Sequence, residues 1–321
     1  MGRRRPRAVS GTDIRSHRAI DRERRAGGVA APPPTPGFRE NEMNRKTTAG
    51  FIGLGDQGAP IARRIADAGF PLTIWARREA STAAFSDTPA KIAATPAALA
   101  AECDVIGICV VNDADVRQVT IDSGLLDAMR PGSVLAIHST LLPETVISLD
   151  AAARKHGIHV LDAPVSGGNN GAQAGTMTVM VGGTVEALDL ARPVFDSFAR
   201  LVAHLGPVGS GQLIKLLNNN LAYANVVASI DALDLAEQLG MDRHIAIEVM
   251  KLSSGASGGL GIVADPRTFR KISGPGSNLP KDVHHLGEVA EAKGLGNSPL
   301  LAVSRSAQAK IADLAHRLGQ S

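Results

Sequence analysis

Cysteine is nearly absent from the 321 residues. Only Cys103 and Cys109 occur, too few for a disulfide framework or a zinc cage, so no metal is expected and a reducing, cytoplasmic setting is. Aromatic residues make up 3% of the chain, with one Trp (Trp75), one Tyr (Tyr223) and seven Phe. That scarcity argues against a surface that binds single-stranded nucleic acid by stacking bases on rings. Long hydrophobic runs are missing too. Gly, Pro or charge interrupts every apolar stretch well short of the roughly 20 residues a membrane-spanning helix needs, and no membrane partner is expected. No repeat of 20 to 50 residues recurs, which removes a solenoid.

What the chain does have is 44% hydrophobic and 20% charged residues, enough for sizeable cores and, at this length, for two domains. Its net charge of +3 is unevenly spread: residues 1–46 carry 12 Lys and Arg against 5 Asp and Glu, leaving 22 basic and 26 acidic residues in the rest. This first segment lacks apolar periodicity and holds a Pro-rich break at Pro32 to Pro36. It reads as a disordered basic segment outside the fold, or as sequence ahead of a true start at Met43.

From Thr47 onward short apolar runs alternate with helical patterns, the signature of a parallel sheet wrapped by helices. Strands are expected at 49–54, 72–76, 105–110, 134–138, 159–162 and 178–181, with helices at 59–68, 97–102, 143–155 and 186–199, and the sheet closing near Leu205. Beyond Gly211 the pattern is helical only, over 212–239, 242–252, 282–293 and 299–318. The fold class is therefore α/β: an N-terminal Rossmann-type, doubly wound domain over residues 47–209, followed by an all-α domain over 210–321.

Three segments carry chemistry. The first, Gly53-Leu54-Gly55-Asp56-Gln57-Gly58, follows the strand AGFI and opens a helix. In a dinucleotide site the first Gly makes the tight turn, the second lets backbone approach the pyrophosphate, and the third lets helix pack on strand. The next strand, LTIWA, ends about 20 residues on, where an Asp or Glu would accept from a ribose 2′-hydroxyl. Here stand Ala76-Arg77-Arg78. Cations favour a 2′-phosphate, so NADP(H) is the expected cofactor and NAD the alternative.

In the second segment, DAPVSGGNNGAQAGT, Ser166, Gly167 and Gly168 follow a strand end and offer a hydroxyl and open amides to a carboxylate. The same residues would serve equally as a plain chain reversal. The third, GPVGSGQLIKLLNNNLAYAN, places Lys215 and Asn219 one turn apart on one helix face. Three consecutive Asn are poor helix formers, so something beyond propensity keeps them. A desolvated Lys has a lowered pKa and becomes a usable general acid or base.

Taken together, GFIGLGDQGAPIARRIADAGF, HSTLLPE, DAPVSGGNNGAQAGT, GSGQLIKLLNN and LPKD resemble the β-hydroxyacid dehydrogenases, the group of 3-hydroxyisobutyrate dehydrogenase and tartronate semialdehyde reductase. The resemblance runs from about Thr47 to Leu318. It implies that Lys215 is the catalytic lysine, that Asn219 helps hold substrate, and that Ser166 to Gly168 bind the substrate carboxylate. It also implies that Thr140 lies near nicotinamide and substrate, that Lys281 returns to the cleft, and that Val111 and Asn112 border the cofactor. The implied reaction is hydride transfer between the nicotinamide and a small β-hydroxy acid or semialdehyde, in a homodimer or homotetramer. The chain departs from the usual pattern at Gln57, where relatives carry Met, and in SSGASGGLG, which lacks an aromatic. Imine reductases share this fold but usually replace the catalytic lysine, so an imine reductase and a non-catalytic NADP-binding protein are the alternatives. A G-x-S-x-G match at Gly255 to Gly259 with Asp282 and His284 suggests a hydrolase, but the helical pattern before it denies the strand that a nucleophile elbow needs.

Overall fold

A computed structural model describes residues 47–319. The chain runs β1 (Ala49–Ile52), α1 (Gly58–Asp67), β2 (Leu72–Trp75), β3 (Lys91–Ile92), α2 (Pro96–Glu102), β4 (Val105–Ile108), α3 (Asp113–Arg117), α4 (Leu125–Ala128), β5 (Val134–Ile137), α5 (Pro143–Ala153), β6 (His159–Asp162), β7 (Val165–Ser166), α6 (Gly168–Ala174), β8 (Met177–Gly182), α7 (Val185–Phe195) and β9 (Ala199–Gly206). Helices alone follow: α8 (Ser210–Gln238), α9 (Arg243–Lys251), α10 (Gly258–Ala264), α11 (Pro266–Ser273), α12 (Leu279–Glu291) and α13 (Pro299–Arg317).

The strands form one sheet in the order β3-β2-β1-β4-β5-β6-β8-β7, with β9 alongside β8. From β3 to β6 every pairing is parallel, whereas β8 runs antiparallel to β6. Strands buried on both faces need apolar side chains at every position, and β1, β4 and β5 are buried throughout. Alternate residues feed opposite layers: Phe51 joins Ile61 and Ile65 of α1 and Phe195 of α7 on one face, while Ile52 joins Leu99 of α2 and Val146 of α5 on the other. Helices thus cover both faces of a mostly parallel sheet, as the alternating pattern predicts.

Beyond the unexpected strand Lys91–Ile92 and helix Pro266–Ser273, three elements differ from expectation in instructive ways. Helix α7 stops at Phe195 rather than Ala199, and Ala199–Gly206 is an edge strand, half-exposed and so without a continuous apolar run. The glycine-rich stretch after α9 folds into α10 because Ser257 caps it, its hydroxyl accepting from the Leu260 amide at 3.0 Å, and because Gly259 lies against the backbone of Asn225, where a Cβ would collide. The Gly-Asn run after Ser166 is helical as α6. In all three, tertiary packing overrides propensity. The expected basic segment at 1–46 lies outside the described residues. Among the described residues no helix is long and apolar enough to cross a membrane.

Candidate active site

The glycine turn sits between β1 and α1. Gly53 has φ +96°, closed to most side chains, and a Cβ there would strike the Cys109 carbonyl. A Cβ on Gly58 would drive into the Gly53 carbonyl. Gly55 faces open space instead, so its backbone is accessible to a ligand. This division of labour is what a pyrophosphate cradle needs, and the residues present fit an NAD(P) group.

Helix α8 carries the opposite wall. Its N-terminus is clamped by Asp162 at the C-terminal end of β6: Oδ1 accepts from the Gly209 amide and Oδ2 from the Gln212 amide, both at 2.8 Å. A carboxylate against a helix N-terminus is electrostatically favourable, although burial pushes the Asp162 pKa up. The Gln212 side chain then holds the HSTLLPE loop, accepting from the Leu141 amide and donating to the Ser139 carbonyl, each at 2.9 Å.

One turn further on, Lys215 is buried, 8% exposed. Desolvation lowers its pKa to about 8, the nearby Lys281 ammonium acting in the same sense and the Asp282 carboxylate in the opposite one. Asp282, buried at the start of α12, accepts from Asn219 Nδ2 at 2.7 Å and from the Tyr223 hydroxyl at 3.3 Å. Asn220 donates to the Leu216 carbonyl at 3.0 Å and to the Asp282 carbonyl at 3.1 Å. These bonds account for the asparagine run, because Asn219 and Asn220 tie α8 to α12. Lys281 donates to the Thr140 carbonyl at 2.5 Å, joining α12 to the HSTLLPE loop.

The structure therefore brings Lys215, Asn219, Lys281 and Thr140 into one neighbourhood, with Cys109 near Lys215 and its carbonyl packed against Gly53 of the glycine turn. Ser166 to Gly168 lie where β7 passes into α6, with Gly167 and Gly168 both at positive φ. Their neighbour Asn169 donates to the Asp56 carbonyl at 2.6 Å, and Asp56 also pairs with Lys271 of α11 at 3.1 Å. Leu54, Val111, Arg77 and Arg78 line a cleft beside Gly53 and Gly55. Val111 is exposed, and Asn112 caps α3 by accepting from the Asp115 amide at 2.8 Å. Gln57 stands at the first end of α1 with no side-chain cap.

Sequence reasoning missed Gln212, Asp162 and Tyr223, and met Asp282 only as the end of LPKD and in the hydrolase reading, with no role at the lysine. That reading finds no support in the geometry: Ser257 is a helix cap, and His284 is exposed and pairs with Glu288.

A Rossmann sheet with a glycine cradle facing a buried lysine defines an NAD(P)-binding oxidoreductase. The family described as the NAD binding domain of 6-phosphogluconate dehydrogenase matches residues 48–206, and that described as NAD-binding of NADP-dependent 3-hydroxyisobutyrate dehydrogenase matches residues 209–316. An uncharacterized oxidoreductase of Mycobacterium tuberculosis is 38% identical over 227 residues, covering 70% of this chain and 75% of that protein. The NAD-dependent L-serine dehydrogenase of Pseudomonas aeruginosa is 34% identical over 252 residues, 75% of this chain and 85% of the relative. The solved structure of Mycobacterium tuberculosis 3-hydroxyisobutyrate dehydrogenase with L-serine superposes with a TM-score of 0.71 at 28% identity, covering 85% of this chain and 94% of that one. The chain belongs to the β-hydroxyacid dehydrogenase family.

Proposed function

We propose that the protein is an NADP(H)-preferring dehydrogenase or semialdehyde reductase acting on a small carboxylate-bearing β-hydroxy acid or its aldehyde, with Lys215 as general acid and base. The observation that carries this reading is the buried Lys215, its pKa lowered to about 8 and its surroundings set by Asn219, Lys281 and Asp282. A dinucleotide with its pyrophosphate at Gly53, Gly55 and Gly58 would supply or take up the hydride at its nicotinamide. In reduction the Lys215 ammonium delivers a proton to the carbonyl oxygen, and in oxidation the neutral amine removes it from the hydroxyl. Asn219, fixed by Asp282, orients the substrate beside that amine. Ser166 to Gly168 hold the substrate carboxylate and so decide which carbon meets the hydride. Arg77 and Arg78 take the 2′-phosphate. The named relatives, acting on 3-hydroxyisobutyrate and L-serine, support a β-hydroxy acid; imine reductases at 19% identity share the fold alone.

Exposed apolar side chains on and flanking α9, namely Met241, Ile245, Val249 and Leu252, support a homo-oligomer, which light scattering would test. The deciding assay follows nicotinamide absorbance with NADPH and NADH across short β-hydroxy acids and semialdehydes. Reduction should be fastest below about pH 8 and fall above it, oxidation the reverse, following the Lys215 ammonium. Lys215→Ala should lower kcat about 1000-fold and leave cofactor binding intact. Equal turnover in that variant rejects the mechanism.

A further inference from the structure

The adenosine end of the cleft holds a carboxylate that does not come from β2. Dinucleotide folds usually place the ribose-reading acid at the end of the second strand, where this chain has Ala76-Arg77-Arg78. Asp115 reaches the same cleft from α3, 38 positions along the chain, and its Oδ1 lies 2.6 Å from Arg77 Nη2. Both residues line the cleft together with Gly55, Arg78 and Ser81. Their exposures differ: the Asp115 side chain is 18% exposed and the Arg77 side chain 63%, and the Asp115 backbone amide donates to Asn112. The carboxylate is the more buried partner and the guanidinium the more exposed one.

We infer that Asp115 is a cofactor-discriminating residue, whose carboxylate engages Arg77 and so limits how far the cleft favours NADP(H) over NAD(H). A 2′-phosphate must draw Arg77 away from Asp115 and then sit near a second anion, and like charges at that distance oppose each other. A ribose 2′-hydroxyl has no such conflict, because it donates to a carboxylate. The inference rests on the dinucleotide reading of the cleft; it is independent of which cofactor the unmodified protein prefers.

The test is calorimetric titration of the full chain with 2′,5′-ADP and 5′-AMP, fragments that differ by the 2′-phosphate. Fluorescence of Trp75, which lines the same cleft, gives a second readout with NADPH and NADH. Asp115→Asn keeps the side-chain shape and removes the charge. It should raise the affinity ratio of 2′,5′-ADP to 5′-AMP about tenfold at low salt, less at high salt where exposed charges are screened. In an Arg77→Ala background the same change should raise the ratio less than about threefold, since the competition for Arg77 is gone. A ratio within twofold of the parent, or a rise just as large without Arg77, overturns the inference. Failure of parent and variant to bind either fragment overturns it together with the dinucleotide reading. A parent that favours 5′-AMP strikes only the NADP(H) preference proposed above.

Discussion

His138 and Lys215 are both buried ionisable side chains, one in each half of the chain, and they are treated in opposite ways. His138, at the end of β5, packs among Phe51, Phe195 and Phe198, and its Nδ1 donates to the Ala163 carbonyl at 2.8 Å. Burial lowers its pKa to about 4, so it is neutral and satisfied. Asp162 in the same half has both oxygens hydrogen-bonded. In the helical half, buried Asn220 Oδ1, Asp282 Oδ1 and His285 Nδ1 on and beside α12 lack hydrogen-bond partners among the described residues, as does Arg243 Nη2 toward the far end of α8. The sheet half uses its polar groups to hold elements together, whereas the helical half gathers a buried lysine, a buried carboxylate and a buried histidine on and beside α12, with Asp282 Oδ1 3.5 Å from Lys281 Nζ. Burying ionisable groups costs stability, and their concentration around Lys215 makes the cleft the place where stability yields to chemistry.

Replacing Lys215 should break that contrast most strongly. Its folded pKa near 8 lies below the unfolded value of 10.5, so the charged form is penalised on folding; the penalty is full below about pH 8, relieved as pH rises to about 10.5, and gone above. Lys215→Met should therefore stabilise the protein by about 3 kcal/mol at pH 7, with the gain shrinking between pH 8 and 10.5. Urea unfolding at several pH values measures it, and a loss of stability at pH 7 would refute the desolvation account. Asp162→Ala should act in the opposite direction, costing about 2 to 4 kcal/mol by removing two hydrogen bonds from the α8 N-terminus.

Two substitutions sharpen the comparison further. Gly55→Ala, with no neighbour to strike, should leave the melting temperature unchanged and weaken NADPH binding about tenfold by crowding the pyrophosphate. A comparable loss of stability would mean that Gly55 serves the fold and not the ligand. Asp282→Asn removes the one anion that raises the Lys215 pKa among the strong neighbours, so the pH midpoint of turnover should move down by about one unit; an upward move would contradict the assignment of Lys215 as the titrating group.

Legibility in the sequence followed the same divide. Val105–Ile108 and Val134–Ile137 were readable because strands buried on both faces leave unbroken apolar runs, and Lys215 stood out because an i, i+4 pair with Asn219 is a local pattern. Ala199–Gly206 was not readable as a strand, since half-exposed edge positions carry no such run. The groups that make Lys215 and Arg77 what they are remained hidden for a different reason: Asp282 meets Asn219 across 63 positions, and Asp115 meets Arg77 across 38. No local spacing announces a partner that only the fold delivers.

The clamp of Asp162 on α8 also fixes a pivot. A helix rises about 1.5 Å per residue, so Lys215 lies about 7 Å from the clamped end and Gln238 about 42 Å from it. A tilt of about 5° about that end would carry Gln238 roughly 4 Å while moving Lys215 by less than about 1 Å. The chemistry sits near the clamped end of a long helix, where a small tilt of that helix would scarcely change the aim of the amine.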